Sequence, residues 1–136
     1  MKNSKAIWTV KTECGPIREK NEDAIYPDKS GSSSLPIKAG IFDGMGGHKK
    51  GEVASLIASE VMDDSFINIT DYVNLANKNI LDYQNKHSEA TGMGTTSGFL
   101  SREPRRKNPS PAPRATSWLQ SKQSSRRRQI YAVVEQ

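Results

Sequence analysis

Two short acidic stretches carry the residues best suited to chemistry: Arg18-Glu19-Lys20-Asn21-Glu22-Asp23, and Asp43-Gly44 further along the chain. Hard divalent cations such as Mg²⁺ and Mn²⁺ take carboxylate and carbonyl oxygens plus water. An aspartate followed by a glycine, whose bare backbone can turn its carbonyl toward a metal, is therefore a suitable pair. An arginine a few residues from the carboxylates adds a planar fork for phosphate oxygens. Together these are the parts of a metal-assisted phosphate-ester hydrolase. Each part alone also has a plain structural reading as a turn or a solvated acidic loop, so their order along the chain carries the signal.

The elements that must position these residues are legible in outline. Ala6 to Thr12 is rich in β-branched and aromatic residues and predicts a first strand. Ala24 to Tyr26 predicts a second, Pro27 to Ser34 a flexible turn, and Ile37 to Phe42 a third strand. That strand leads into Asp43-Gly44-Met45-Gly46-Gly47-His48, a glycine-rich loop, after which Glu52 to Asp64 resumes with helical spacing. Val53, Ile57 and Val61 fall on one face of this helix, with Ala54 and Ala58 beside them. A second helix is predicted from Asp71 to about Lys86, with Thr70 as N-cap and a buried stripe of Val73, Ala76, Ile80 and Tyr83. Gly92 to Thr96 leads toward a further strand, of which Thr95 and Thr96 form the start.

In order, Arg18-x-x-Asn21-Glu22-Asp23-Ala24, the run Phe42-Asp43-Gly44-Met45-Gly46-Gly47-His48-x-x-Gly51-Glu52-x-Ala54-Ser55, and Gly92-Met93-Gly94-Thr95-Thr96 resemble the bacterial branch of the metal-dependent protein phosphatases. These are the PPM, or PP2C-type, serine/threonine phosphatases, and the resemblance covers residues 1 to about 97. It implies an α+β fold, a PP2C-like β-sandwich flanked by helices, present here only as its N-terminal portion. It also implies two Mn²⁺ or Mg²⁺ ions and phosphorylated protein substrates. By that resemblance Asp43 is the carboxylate bridging the two ions, and the Gly44 carbonyl ligates one of them. Glu22 is the second-metal carboxylate, Asp23 ligates or orients metal-bound water, and Arg18 holds the substrate phosphate. His48 departs from the position of the general-acid histidine in some relatives and reads as a loop-stabilising residue. Gly46, Gly47 and Gly51 read as residues that permit a tight turn and close helix packing, and His87 as a solvated residue.

The later family motifs, a Gly-Asp-Ser-Arg-like strand, a Ser-Asp-Gly segment and an Asp-Asn segment, are not found; after Thr96 the only acidic residues are Glu103 and Glu135. Composition changes at the same place. The 136 residues carry 20 Lys+Arg and 15 Asp+Glu, net +5, yet residues 1–100 are net −2 and residues 101–136 net +7. The first 100 residues hold ten Lys and one Arg, and the last 36 hold two Lys and seven Arg. Residues 98–136 therefore read as a basic, disordered tail, rich in Pro and Ser, that could arise from a lost reading frame near Ser97 to Arg102. Ile130 to Val134 forms a strand there only if a sheet accepts it. The chain as written is expected to bind Mn²⁺ weakly, to be marginally stable and to be inactive.

At 34% hydrophobic residues, the length suits one modest domain and excludes a large two-domain enzyme. No stretch approaches the roughly 20 apolar residues of a membrane span, and only Ala6 to Val10 are apolar-rich after the N-terminus. Neither a membrane partner nor a secretory signal is predicted. Cys14 is alone, reads as a small, partly buried residue, and suits a reducing, cytoplasmic setting. Two other readings compete: a non-catalytic phosphoprotein-binding module (a pseudophosphatase), and a nucleic-acid binder acting through Arg105-Arg106-Lys107 and Arg126-Arg127-Arg128. The last is disfavoured, since the tail offers only Trp118 and Tyr131 for base stacking.

Overall fold

The computed structural model describes residues 5–45, 50–63, 69–102 and 131–135. Among them the elements run β1 (Lys5–Lys11), β2 (Asp23–Tyr26), β3 (Gly31–Ser34), β4 (Ile37–Met45), α1 (Gly51–Glu60), α2 (Ile69–Lys86), β5 (Gly94–Arg102) and β6 (Tyr131–Glu135). Single 3₁₀ turns at Val61–Asp63 and Ser88–Ala90 follow the two helices. The strands form two antiparallel sheets, ordered β3-β1-β6 and β2-β4-β5.

β4 organises the site because both of its faces are covered. Phe42, fully buried, points toward the helices and joins Ala58, Val61, Met62, Tyr72 and Ala76 in one apolar cluster. Alternation sends Ile37, Ala39, Ile41 and Asp43 to the opposite face, where Ile37 and Ala39 are also buried. Ala6 of β1 is buried too, as expected where a second sheet covers the first. The result is an α+β sandwich with helices on its outer face.

Several elements differ from their sequence expectation. Gly31 to Ser34, read as part of a flexible turn, is strand β3: it pairs with β1 from Lys5↔Ser34 to Trp8↔Gly31. Pairing overrides the weak strand propensity of serine, and the Trp8 ring lies where a Cβ on Gly31 would meet it at 3.1 Å. β4 continues through Asp43, Gly44 and Met45 rather than ending at Phe42, because those residues pair with Thr96, Thr95 and Gly94 of β5. β5 itself runs on to Arg102, opposite Ile37. Thr70 lies inside α2, not at its cap. On α2 the buried stripe is Tyr72, Ala76 and Ile80, while Val73 is half exposed. Tyr72 takes the inner place because its ring meets Phe99 edge-on, centroids 4.8 Å apart, and its hydroxyl donates to the Ala58 carbonyl at 3.0 Å. On α1 the most buried residues are Ala54, Ser55 and Ala58, one residue round from the expected Val53 and Ile57. Cys14 is exposed rather than partly buried. β6, within the basic tail, pairs with β1 from Ile7↔Glu135 to Lys11↔Tyr131, so a sheet does accept that segment.

Candidate active site

The two acidic stretches meet at one end of the β2-β4-β5 sheet. Asp23 and Asp43 are direct partners in the β2-β4 ladder. Residues directly opposite in an antiparallel pair share a face, with Cβ atoms about 5 Å apart. Both aspartates therefore project from the face turned away from the helices, half-buried at the sheet end, with Ile25↔Ile41 two residues behind them. Thr96 of β5 is the partner of Asp43 on its other side. The Thr95 hydroxyl lies 3.1 Å from the Asp43 carbonyl and 2.9 Å from that of Thr96. The approach to Asp23 is shaped by Asn21, whose Oδ1 accepts the Asp23 amide at 3.1 Å and whose Nδ2 donates to Thr12 Oγ1 at 2.9 Å.

Close backbone approach fixes this corner against α1. The Gly44 amide donates to the Glu22 carbonyl at 3.0 Å. A Cβ on Gly44 would lie 2.3 Å from the Gly51 carbonyl oxygen and 2.4 Å from that of Glu22, so only glycine fits. Gly51, the first residue of α1, is nearly as confined: its Cβ would sit 3.1 Å from Glu22 Oε1. The chain enters α1 through Lys50, a non-glycine residue in the left-handed region at φ 66, whose carbonyl accepts the amides of Val53 and Ala54.

Glu22 and Asp23, adjacent in sequence, diverge. Asp23 projects from the face away from the helices, while the Glu22 carboxylate lies by the first turn of α1 with its side chain only 8% exposed. There it accepts the Arg18 guanidinium at 3.3 Å, an ion pair whose arginine side is half exposed. Lys20 reaches Glu52 of α1 at 3.1 Å. Burial works to raise the Glu52 pKa, but its own backbone amide and the Lys20 and Lys50 charges outweigh it and hold the carboxyl below its ordinary value.

The sequence-predicted residues are thus brought together in two sets, Asp23 with Asp43 and Gly44, and Arg18 with Glu22. Among the described residues no group of three His, Cys, Asp or Glu side chains is placed to hold a metal ion. Two in-register carboxylates suit a hard cation, but they supply fewer than the six oxygens it takes. Gly46, Gly47 and His48 lie outside the described residues. His87 is partly exposed and stacks on Tyr83, centroids 4.2 Å apart. The sequence pattern assigns no role to the Ser55 hydroxyl, and to Thr95 only that of starting a strand, which it does in β5. The signal for Ser55 was a small polar residue among the alanines of α1's inner face.

No family model matches the chain. Among curated proteins it is 32% identical over 101 residues to the serine/threonine phosphatase stp of Listeria monocytogenes serotype 4b, a match covering 63% of this chain and 38% of that protein. The stp of Listeria innocua matches to the same extent. Among solved structures, the serine/threonine phosphatase PstP/Ppp of Mycobacterium tuberculosis superposes with a TM-score of 0.59 at 25% identity, over 74% of this chain and 43% of that one. The chain resembles the N-terminal part of the bacterial PPM-type serine/threonine phosphatases and has their fold. A structure of the PstP catalytic domain, described as a complex with two manganese ions, is 24% identical with a TM-score of 0.58, covering 74% of this chain and 45% of that one, and supports the fold. The chain spans about two fifths of the length of these PPM-type relatives.

Proposed function

We propose that the chain, in a cytoplasmic setting, carries the metal- and phosphate-handling corner of a Mn²⁺- or Mg²⁺-dependent phosphatase acting on phosphoserine and phosphothreonine in proteins. The observation that carries this is the register of the β2-β4 ladder, which sets Asp23 directly opposite Asp43 beside the tightly held Gly44 peptide. Of the four expected metal-holding residues, Asp23, Asp43 and the Gly44 carbonyl are the oxygens that would hold a hard cation at the ladder end, while Glu22, the expected second-metal carboxylate, is turned to Arg18. When bound, such a cation supplies charge neutralisation for a phosphoryl group under attack by water. Arg18, half exposed at the same end, offers the fork that orients phosphate oxygens, and Glu22 holds that guanidinium in place at 3.3 Å. The tight packing of Gly44 on Glu22 and Gly51 keeps the corner rigid, so that little ordering remains to be done when a phosphate arrives.

A second reading, a phosphoprotein-binding module without turnover, is favoured by one observation: among the described residues no three carboxylates are placed around one point. Phosphate release from a phosphothreonine peptide, measured with and without Mn²⁺, separates the two. Mn²⁺-dependent release lost in Asp43→Asn supports a catalytically sufficient site. Weak Mn²⁺ binding at about 1 mM, as for hard-oxygen sites with few ligands, without release supports the corner as a binding site only. No Asp43-dependent effect of Mn²⁺ on either binding or release contradicts the proposal.

A further inference from the structure

We infer that Ser55 is a positioning residue for the acidic corner, a role that rests on the reading of that corner as the cation- and phosphate-handling site. Ser55 is 1% exposed on the inner face of α1, and its hydroxyl donates to the Glu22 carbonyl at 2.7 Å. The Glu52 carbonyl lies farther off, at 3.2 Å. A hydroxyl has one proton to give, and the shorter, inter-element bond takes it. The Glu22 carbonyl also accepts the Gly44 amide at 3.0 Å, so both of its lone pairs are used. That oxygen belongs to the peptide unit joining Glu22 to Asp23, and fixing it fixes the plane from which the Asp23 side chain departs. One buried atom therefore ties α1, the start of β2 and the Asp43-Gly44 end of β4 together.

Ser59, one turn on, shows what a buried serine of α1 does without this task. It is 6% exposed, and its hydroxyl turns back to the Leu56 carbonyl of its own helix at 2.8 Å. Ser59 thus satisfies only itself, whereas Ser55 reaches 33 residues back along the chain.

The test is backbone amide exchange by NMR on the full chain, followed by titration with Mn²⁺ alone. Ser55→Ala should speed exchange at Gly44 and Asp23 by about tenfold, the equivalent of one intramolecular hydrogen bond, with α2 unaffected. Ser59→Ala should leave both amides unchanged, and Ser55→Thr, which keeps the hydroxyl, should restore them. If Ser55→Ala does not fold, Ser55→Cys, similar in volume but a weak donor, is read in its place. Mn²⁺-induced broadening at Asp23 and Asp43 should need several-fold more metal in the Ser55 variant than in wild type. Unchanged exchange in the Ser55 variant, or equal acceleration in Ser59→Ala, overturns the inference. Absence of Mn²⁺ broadening in wild type removes the cation reading of the corner, while the exchange comparison still decides whether Ser55 positions it.

Discussion

Gly44 is the residue on which the corner depends most directly, because its missing side chain lets three backbones converge. Adding a methyl there puts a carbon 2.3 Å from one backbone oxygen and 2.4 Å from another, and neither can move without shifting α1 or β2. Gly44→Ala should therefore cost about 2 kcal/mol or more of stability, read as a lower denaturation midpoint. Gly15 has nothing within 4 Å of the corresponding position, so Gly15→Ala should be close to neutral in the same measurement. The gathering of Arg18, Glu22, Asp23, Asp43 and Gly44 at one end of the sheet was legible because their order and spacing are distinctive. Their division into a group of three and a pair was not. Which way Glu22 turns is decided by the ladder register and by Arg18, neither of which a linear pattern encodes.

At the scale of elements, the link between α2 and the β2-β4-β5 sheet is centred on Tyr72. Its buried ring meets Phe99, and its hydroxyl donates to Ala58 and lies 3.3 Å from Ser97 Oγ. Tyr72→Phe should lower stability by about 1 kcal/mol at neutral pH. Burial pushes the Tyr72 hydroxyl above the ordinary phenol value of 10.0, with the Ser97 hydroxyl pulling the other way. Burial, then Asp63 as hydrogen-bond acceptor and as charge, raises Tyr26 as well. Both groups hold their proton more tightly folded than unfolded. Their stabilisation is therefore complete below about pH 10 and is lost as pH rises through the folded-state values. Denaturation midpoints should fall above pH 10, less steeply in Tyr72→Phe; an identical slope in the variant would contradict the assignment. Helical periodicity placed α2 correctly but chose Val73 over Tyr72, since the two stripes differ by one position and only packing against Phe99 separates them. Gly31 to Ser34 escaped notice because its strand character comes from its partner β1 rather than from its own residues.

For the whole molecule, the basic excess and the site lie in different parts of the chain: residues 1–100 are net −2, while the seven Arg and two Lys of the last 36 residues set the overall sign. No described helix is long and apolar enough to cross a membrane. Among the described residues β2 and β5 are the outer strands of one sheet, and β3 and β6 of the other. Ile7, Ile17, Met45, Leu56, Val73 and Leu81 are each about half exposed or more. Outer strands offer backbone edges for pairing, and exposed apolar side chains elsewhere on the described surface add to the tendency to associate. Sedimentation velocity should show association that grows with concentration; a monomer across the whole range would contradict this.

The most direct test of the central claim is Mn²⁺ titration of the full chain followed by paramagnetic broadening of backbone amides. The Asp23-Asp43 pair as a cation corner predicts selective broadening at Asp23, Asp43 and Gly44, abolished in Asp43→Asn. Broadening spread evenly over the surface acids, or unchanged in Asp43→Asn, would contradict it.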